Sequence, residues 1–219
     1  MKNILLFFFL CFVQFLCSAQ SISGGIRIGL NLAQSSQSAT VSGNVFGSPV
    51  NLSQSLTSDT RVGFTAGTFL TFMFNKELGL QPELVYNSNG YKIQSTTVTT
   101  NYLSLPVFIR YNINQNFHLL GGPQLGYLLS AEANDPTFSP VQSGSPSQSS
   151  LKDQLNSLDF GFTFGLGVDI QKFNIGVRYN LGIANTIKDS KGSLQGLNYE
   201  IKAVNLGWQF VVGAKIFGQ

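Results

Sequence analysis

From Phe160 to Ile183 the chain reads FGFTFGLGVDIQKFNIGVRYNLGI, with a large apolar side chain at every second position and Gly, Thr, Asp, Asn or Arg between. Alternation of period two sends successive side chains to opposite faces of a β-strand. Each strand here therefore has one bulky apolar face and one small or polar face. The same pattern recurs along the chain, and eight segments carry it. Ile26, Ile28, Leu30 and Leu32 alternate with Arg27, Gly29, Asn31 and Ala33, and near the other end Leu206, Trp208, Phe210, Val212, Ala214 and Ile216 oppose Asn205, Gly207, Gln209, Gly213 and Lys215. Strands starting at Arg61, Leu78, Leu103 and Phe117 repeat the arrangement, and the quoted stretch supplies two more. Every segment meets the roughly 9–11 residues that a tilted strand needs to cross a bilayer.

The connections alternate in length. Asn75 to Glu77, Asn112 to Asn116 and Gln171 with Lys172 are short turns, whereas Gln34 to Asp59, Ser88 to Asn101, Ala133 to Ser157 and Lys188 to Asn198 are long polar links. The third link holds SPVQSGSPSQSS, a run too poor in apolar residues to order itself by burial. Short and long connections in strict alternation predict an all-β fold, an eight-stranded antiparallel up-and-down transmembrane β-barrel with short periplasmic turns and long external loops. The apolar face then meets lipid. Outward aromatic residues gather near the short turns (Phe74, Tyr111, Phe117, Phe173) and towards the far end (Phe64, Tyr86, Tyr127, Phe162, Tyr179), the pattern of interfacial girdles.

Composition narrows the picture further. Only 11% of residues are charged, against about 25% in ordinary soluble domains. The formal charge of +3 is too small and too scattered for a nucleic-acid footprint. MKNILLFFFLCFVQFLCSAQ has Lys2, an apolar run and small residues before Gln20, and is expected to be a signal peptide cleaved after Ala19. Cleavage before Cys17 is the rival, which the bulky Leu16 fits poorly. The expected organisation is a signal peptide over residues 1–19 and a single outer-membrane barrel domain over 20–219. Cys11 and Cys17, the only cysteines, both fall in the removed segment, leaving no thiol for a disulfide, a metal or a nucleophile.

Candidate chemistry is sparse. On the inward face Arg27, Arg110, Arg178 and Lys215 could meet Glu83, Asp159 and Asp169 in a lumen just wide enough for its own side chains. A buried, paired network is favoured over a conducting pore because unpaired charge in a narrow lumen is costly. His118, the only histidine, could serve as a general base, but it sits beside a short turn with no partner recognisable in the sequence. Gly121, Gly122 and Pro123 indicate a bulge or close strand packing rather than a phosphate loop. Asp135, Asp153 and Asp189 read as solvated loop carboxylates. No catalytic, cofactor-binding or metal-binding residue is assigned, no cofactor is expected, and any ligand-binding residue is unknown.

NYLSLPVFIRYNI (Asn101 to Ile113), FHLLGGPQLGYLLSAE (Phe117 to Glu132), the Gly-rich first strand and the final NLGWQFVVGAKIF resemble the PorT-like outer-membrane β-barrel family of Gram-negative bacteria. The chain departs from many relatives at Ser104, where they carry a carboxylate. Asn205, Gly207, Phe210 and Val212 match the terminal assembly signal of such barrels. The resemblance implies an outer-membrane location, and its narrower implication is an accessory to protein secretion. Expected partners are outer-membrane lipid, the barrel-assembly machinery during insertion, and a protein bound at the external loops or periplasmic turns; no nucleic acid is expected. The leading reading is a non-enzymatic scaffold, surface-binding or secretion and assembly accessory protein with no large open pore. An enzyme embedded in the barrel and a soluble lipocalin-like carrier of a small apolar ligand are the alternatives, the carrier requiring its large apolar residues inside.

Overall fold

The computed structural model describes residues 19–45, 48–93, 95–135, 151–188, 191–194 and 197–218. The segment read as an export signal lies outside the described residues except for Ala19, and so do SPVQSGSPSQSS and Asp189. The elements are β1 (Ser21–Val45), β2 (Ser48–Thr57), β3 (Asp59–Met73), β4 (Leu78–Ile93), β5 (Thr96–Asn112), β6 (Phe117–Ala133), α1 (Leu151–Gln154), β7 (Leu158–Ile170), β8 (Phe173–Gly182), β9 (Lys191–Leu194) and β10 (Leu197–Phe217).

Ten strands form one sheet in the order β2-β1-β3-β4-β5-β6-β7-β8-β10-β9, and a further β1–β10 pairing closes it. The closed ring therefore consists of eight strands, with β2 and β9 standing outside it. All pairings are antiparallel. The closing ladder runs without a shift from Gly25↔Lys215 to Gly43↔Leu197, so the ring has no free edge within the wall.

The short turns are built locally. Asn75 Oδ1 accepts hydrogen bonds from the Glu77 and Leu78 amides, and Asn114 Oδ1 accepts them from those of Asn116 and Phe117. Such side-chain mimicry of a backbone turn explains why asparagine recurs there. The third turn needs only Gln171 and Lys172, with Gln171 in the left-handed region at φ 53°. Gly121, Gly122 and Pro123 resolve as close packing, because the register is continuous through them on both sides. A Cβ at Gly122 would lie 2.0 Å from the Val107 carbonyl oxygen.

The wall is apolar outside and polar within. Ile28 is 64% exposed, and Phe64, Ile109, Leu125, Leu166 and Phe210 share the same outer surface, while Arg27, Asn31, Thr65, Gln81, Glu83 and Arg178 are buried inside. A carrier of apolar ligands needs the opposite arrangement, and the structure corrects that alternative.

The long links also differ from expectation. Residues 34–59 are mostly strand: β1 continues to Val45 and turns into β2, pairing from Ser36↔Thr57 to Val45↔Ser48. Residues 88–101 extend β4 and β5, and part of 188–198 forms β9 against β10. Backbone ladders satisfied on both sides of β1 hold these polar segments extended without a strong hydrophobic alternation. We call this external continuation of the sheet the crown.

Candidate functional site

The lower lumen is organised by two carboxylates. Glu83, whose side chain is fully buried, receives two parallel hydrogen bonds from Arg178, each 2.8 Å, and is also paired with Arg27 Nη1. Gln81 Nε2 donates to the same carboxylate at 2.6 Å. The Arg27 guanidinium lies 4.8 Å from the Phe69 ring centre, and that of Arg178 lies 4.8 Å from Phe108. Aromatic faces and a bidentate carboxylate compensate the desolvation that burying two guanidiniums imposes. These groups join β1, β4 and β8 across the lumen.

Nearer the short turns, Asp169 is paired with Arg110, lies 3.4 Å from His118 Nδ1 and 3.9 Å from Lys215 Nζ, and accepts a 3.1 Å hydrogen bond from Asn174 Nδ2. Arg110 also donates to Gln81 at 3.2 Å, which connects the two clusters. The register thus brings all four inward cations to Glu83 or Asp169. Asp159, the third expected acid, joins neither: its hydrogen bond comes from Asn205 Nδ2 at 2.8 Å. His118 has a carboxylate neighbour that its sequence position did not reveal, and Asn174 approaches its other ring nitrogen at 3.4 Å. Among the described residues no serine or threonine hydroxyl joins this histidine, so no nucleophile–base pair is assembled. Ser104 accepts a hydrogen bond from Asn87, whose oxygen takes others from Thr65 and Gln209. This layer is neutral, as the serine implies.

Above these layers, on the external side, lies an apolar cap. Tyr102, Leu128, Ala131, Leu155, Ile187 and Ala203 form one buried cluster, with Leu151 and Ile201 packed on it. Leu155 bridges to Ile187, Asn156 Nδ2 donates to the carbonyls of Asn185 and Ile187, and the Ala203 amide donates to Asn185 Oδ1. The links after α1 and after β8 are therefore fastened to each other and to β10. Sequence reading missed this cap; its faint signal was isolated apolar residues such as Leu151, Leu155 and Ile187 within or beside mostly polar links. Beyond the cap, residues 36–43 of β1 lie between β2 and β10, and β2 exposes Leu52 and Leu56, each at 65%. Among the described residues no three His, Cys, Asp or Glu side chains gather into a metal-binding group, Asp135 and Asp153 included.

A closed ring with a lipid-facing outer wall, a polar lumen and a water-facing crown defines an integral membrane β-barrel. The chain belongs to the outer membrane protein beta-barrel domain family, whose model matches residues 18–188. It is an outer-membrane protein of the Gram-negative type. Among solved structures it is similar to OprG from Pseudomonas aeruginosa (15% identity, TM-score 0.41, covering 91% of this chain and 98% of that one). It is also similar to Neisserial surface protein A (13%, TM-score 0.39, 85% and 97%) and to Ail of Yersinia pestis bound to the heparin analogue sucrose octasulfate (15%, TM-score 0.36, 88% and 99%). No curated protein matches the chain.

Proposed function

We propose that the protein is a non-enzymatic outer-membrane scaffold with a blocked lumen, and that it works by binding a protein partner through its crown. The carrying observation is β2, a ten-residue strand with no charged side chain whose Leu52 and Leu56 are each 65% exposed. Functional residues on rigid scaffolds concentrate in such projecting segments, whereas exposed leucines on a water-facing strand have no role in lipid contact. The Glu83 cluster supports the blocked lumen, because three paired and buried side chains occupy space inside a narrow eight-stranded ring. The PorT-like resemblance supports a second, narrower reading, a secretion accessory whose contacts lie at the periplasmic turns.

Photo-crosslinking in intact outer membranes separates the two. A photoreactive residue in place of Leu52 is expected to give a discrete protein adduct, and one in place of Lys172 none. Adducts at Lys172 alone would move the function to the periplasmic side. Purified protein in a planar bilayer is expected to show no large stable current, and porin-like conductance would refute the blocked lumen.

A further inference from the structure

Between the Glu83 network and the apolar cap the upper lumen holds a small chamber of about 30 Å³, whose polar lining is Asn31, Asn89, Gln124, Asp159, Asn180 and Asn205. A cavity of this size holds one or two waters or one small ion. Two oxygens among its lining residues are buried without a partner, Asn31 Oδ1 and Asp159 Oδ1. Asn31 itself is only 2% exposed. Its amide orientation is set by its neighbours: Nδ2 faces three oxygens, those of the Phe64 and Ser88 backbone and of the Asn89 side chain. The amide oxygen is thereby directed away from them.

Asp159 is the single carboxylate of the chamber, and among the described residues it has no ion pair. Its other oxygen, Oδ2, takes the Asn205 hydrogen bond. The lumen guanidiniums are committed elsewhere, Arg27 and Arg178 to Glu83 and Arg110 to Asp169. Thr163 Oγ1 lies 3.2 Å from Gln124 Oε1 and 2.7 Å from Asn180 Oδ1; its single proton serves one of them at a time, so both amide oxygens keep a free lone pair. A half-buried carboxylate with one buried, unpartnered oxygen and neutral amide oxygens around it is a hard, all-oxygen donor set. One negative charge matches one positive charge, whereas a divalent ion would leave excess positive charge in a lumen that already holds four cations against Glu83 and Asp169.

We propose that this chamber binds a single monovalent alkali cation, with Asp159 as its charged ligand and Asn31 Oδ1 as a neutral one. The ion neutralises Asp159 and ties β1 to β7 beneath the cap.

The test uses the full barrel folded in detergent, heated in NaCl or in choline chloride at equal ionic strength so that screening is matched. The readout is the temperature at which half the protein loses its folded gel mobility. Sodium is expected to raise this temperature by roughly 2–4 °C over choline, about the effect of 1 kcal/mol of ligand linkage in a protein of this size. Asp159→Asn keeps the shape and the acceptor for Asn205, and is expected to fold and to lose the difference. Crystals grown in RbCl are expected to show anomalous density between Asn31 and Asp159. Equal temperatures in sodium and choline, an unchanged sodium effect in Asp159→Asn, a response to CaCl2 alone, or a chamber without rubidium would each overturn the proposal.

Discussion

The wall and the crown are made by the same strands with opposite sidedness. In β1 the outward positions run Ile26, Ile28, Leu30 and Leu32 within the wall and then Gln34, Ser36, Ser38 and Thr40 above it, while on the other face the buried Arg27 and Asn31 give way to an exposed Ala39 and a half-buried Val41. In β10 the outward side changes from Val212, Phe210 and Trp208 to Lys202 and Glu200, and the inward side from Gln209 and Asn205 to Ala203 and Ile201. β5 repeats the change, with Ser104 and Arg110 inside the wall and the fully buried Val98 inside the crown. The β1–β10 ladder crosses this boundary with no shift in register, so the strands do not rotate. What changes is the solvent outside. Lipid accepts apolar side chains and forces polar ones inward to pair with each other, and water reverses both preferences. Each region accordingly has its own core, ionic in the wall and hydrophobic in the crown.

Breaking the ionic core is expected to have the largest effect. Glu83→Gln leaves Arg27 and Arg178 buried without a counter-charge, a loss of about 3–5 kcal/mol, read as a lower denaturant midpoint for the folded gel band. Next comes the wall's outer face. Phe210→Arg is expected to cost roughly 2–4 kcal/mol if the site lies near the bilayer midplane, whereas Ser38→Arg, on the water-facing side of β1, should stay within about 0.5 kcal/mol; folding yields into lipid vesicles make the comparison. Ile187→Val trims the crown's own core and is expected to cost about 0.5–1.5 kcal/mol. It should be visible as faster proteolysis of the external links, with vesicle insertion unchanged. Smallest is removal of residues 40–53, among whose described side chains none is buried. Heat-dependent gel mobility of the barrel should be unaffected.

Most of the wall was legible in the sequence because lipid imposes a strong signal: bulky apolar residues at every second position over a full membrane width. Inward aromatics blurred it locally, since Phe69 beside Leu70 and Tyr102 beside Leu103 place large residues on both faces. The crown was nearly silent. Between Gln34 and Asn44 the positions in line with Arg27 and Asn31 show only Ala39 and Val41 as apolar residues, too little to separate a strand from a polar loop by pattern. Its order comes from backbone pairing with β2 and β10, partners that local sequence does not identify. The inward charges could be recognised one by one, yet their pairing could not. Arg27 and Arg178 lie 56 and 95 residues from Glu83, and only the closed register decides that they share it while Asp159 is left without either.

Spin labels at single cysteines along β10 test the reversal itself. The chain has no cysteine after Cys17, so labels at Val212, Phe210, Trp208, Lys202 and Glu200 can be placed one at a time and their collisions with oxygen and with a water-soluble nickel chelate compared. The expected result is oxygen-dominated collision at Val212, Phe210 and Trp208 and nickel-dominated collision at Lys202 and Glu200. Oxygen-dominated collision at all five positions, or nickel-dominated collision at all five, would contradict a strand that changes solvent at the crown.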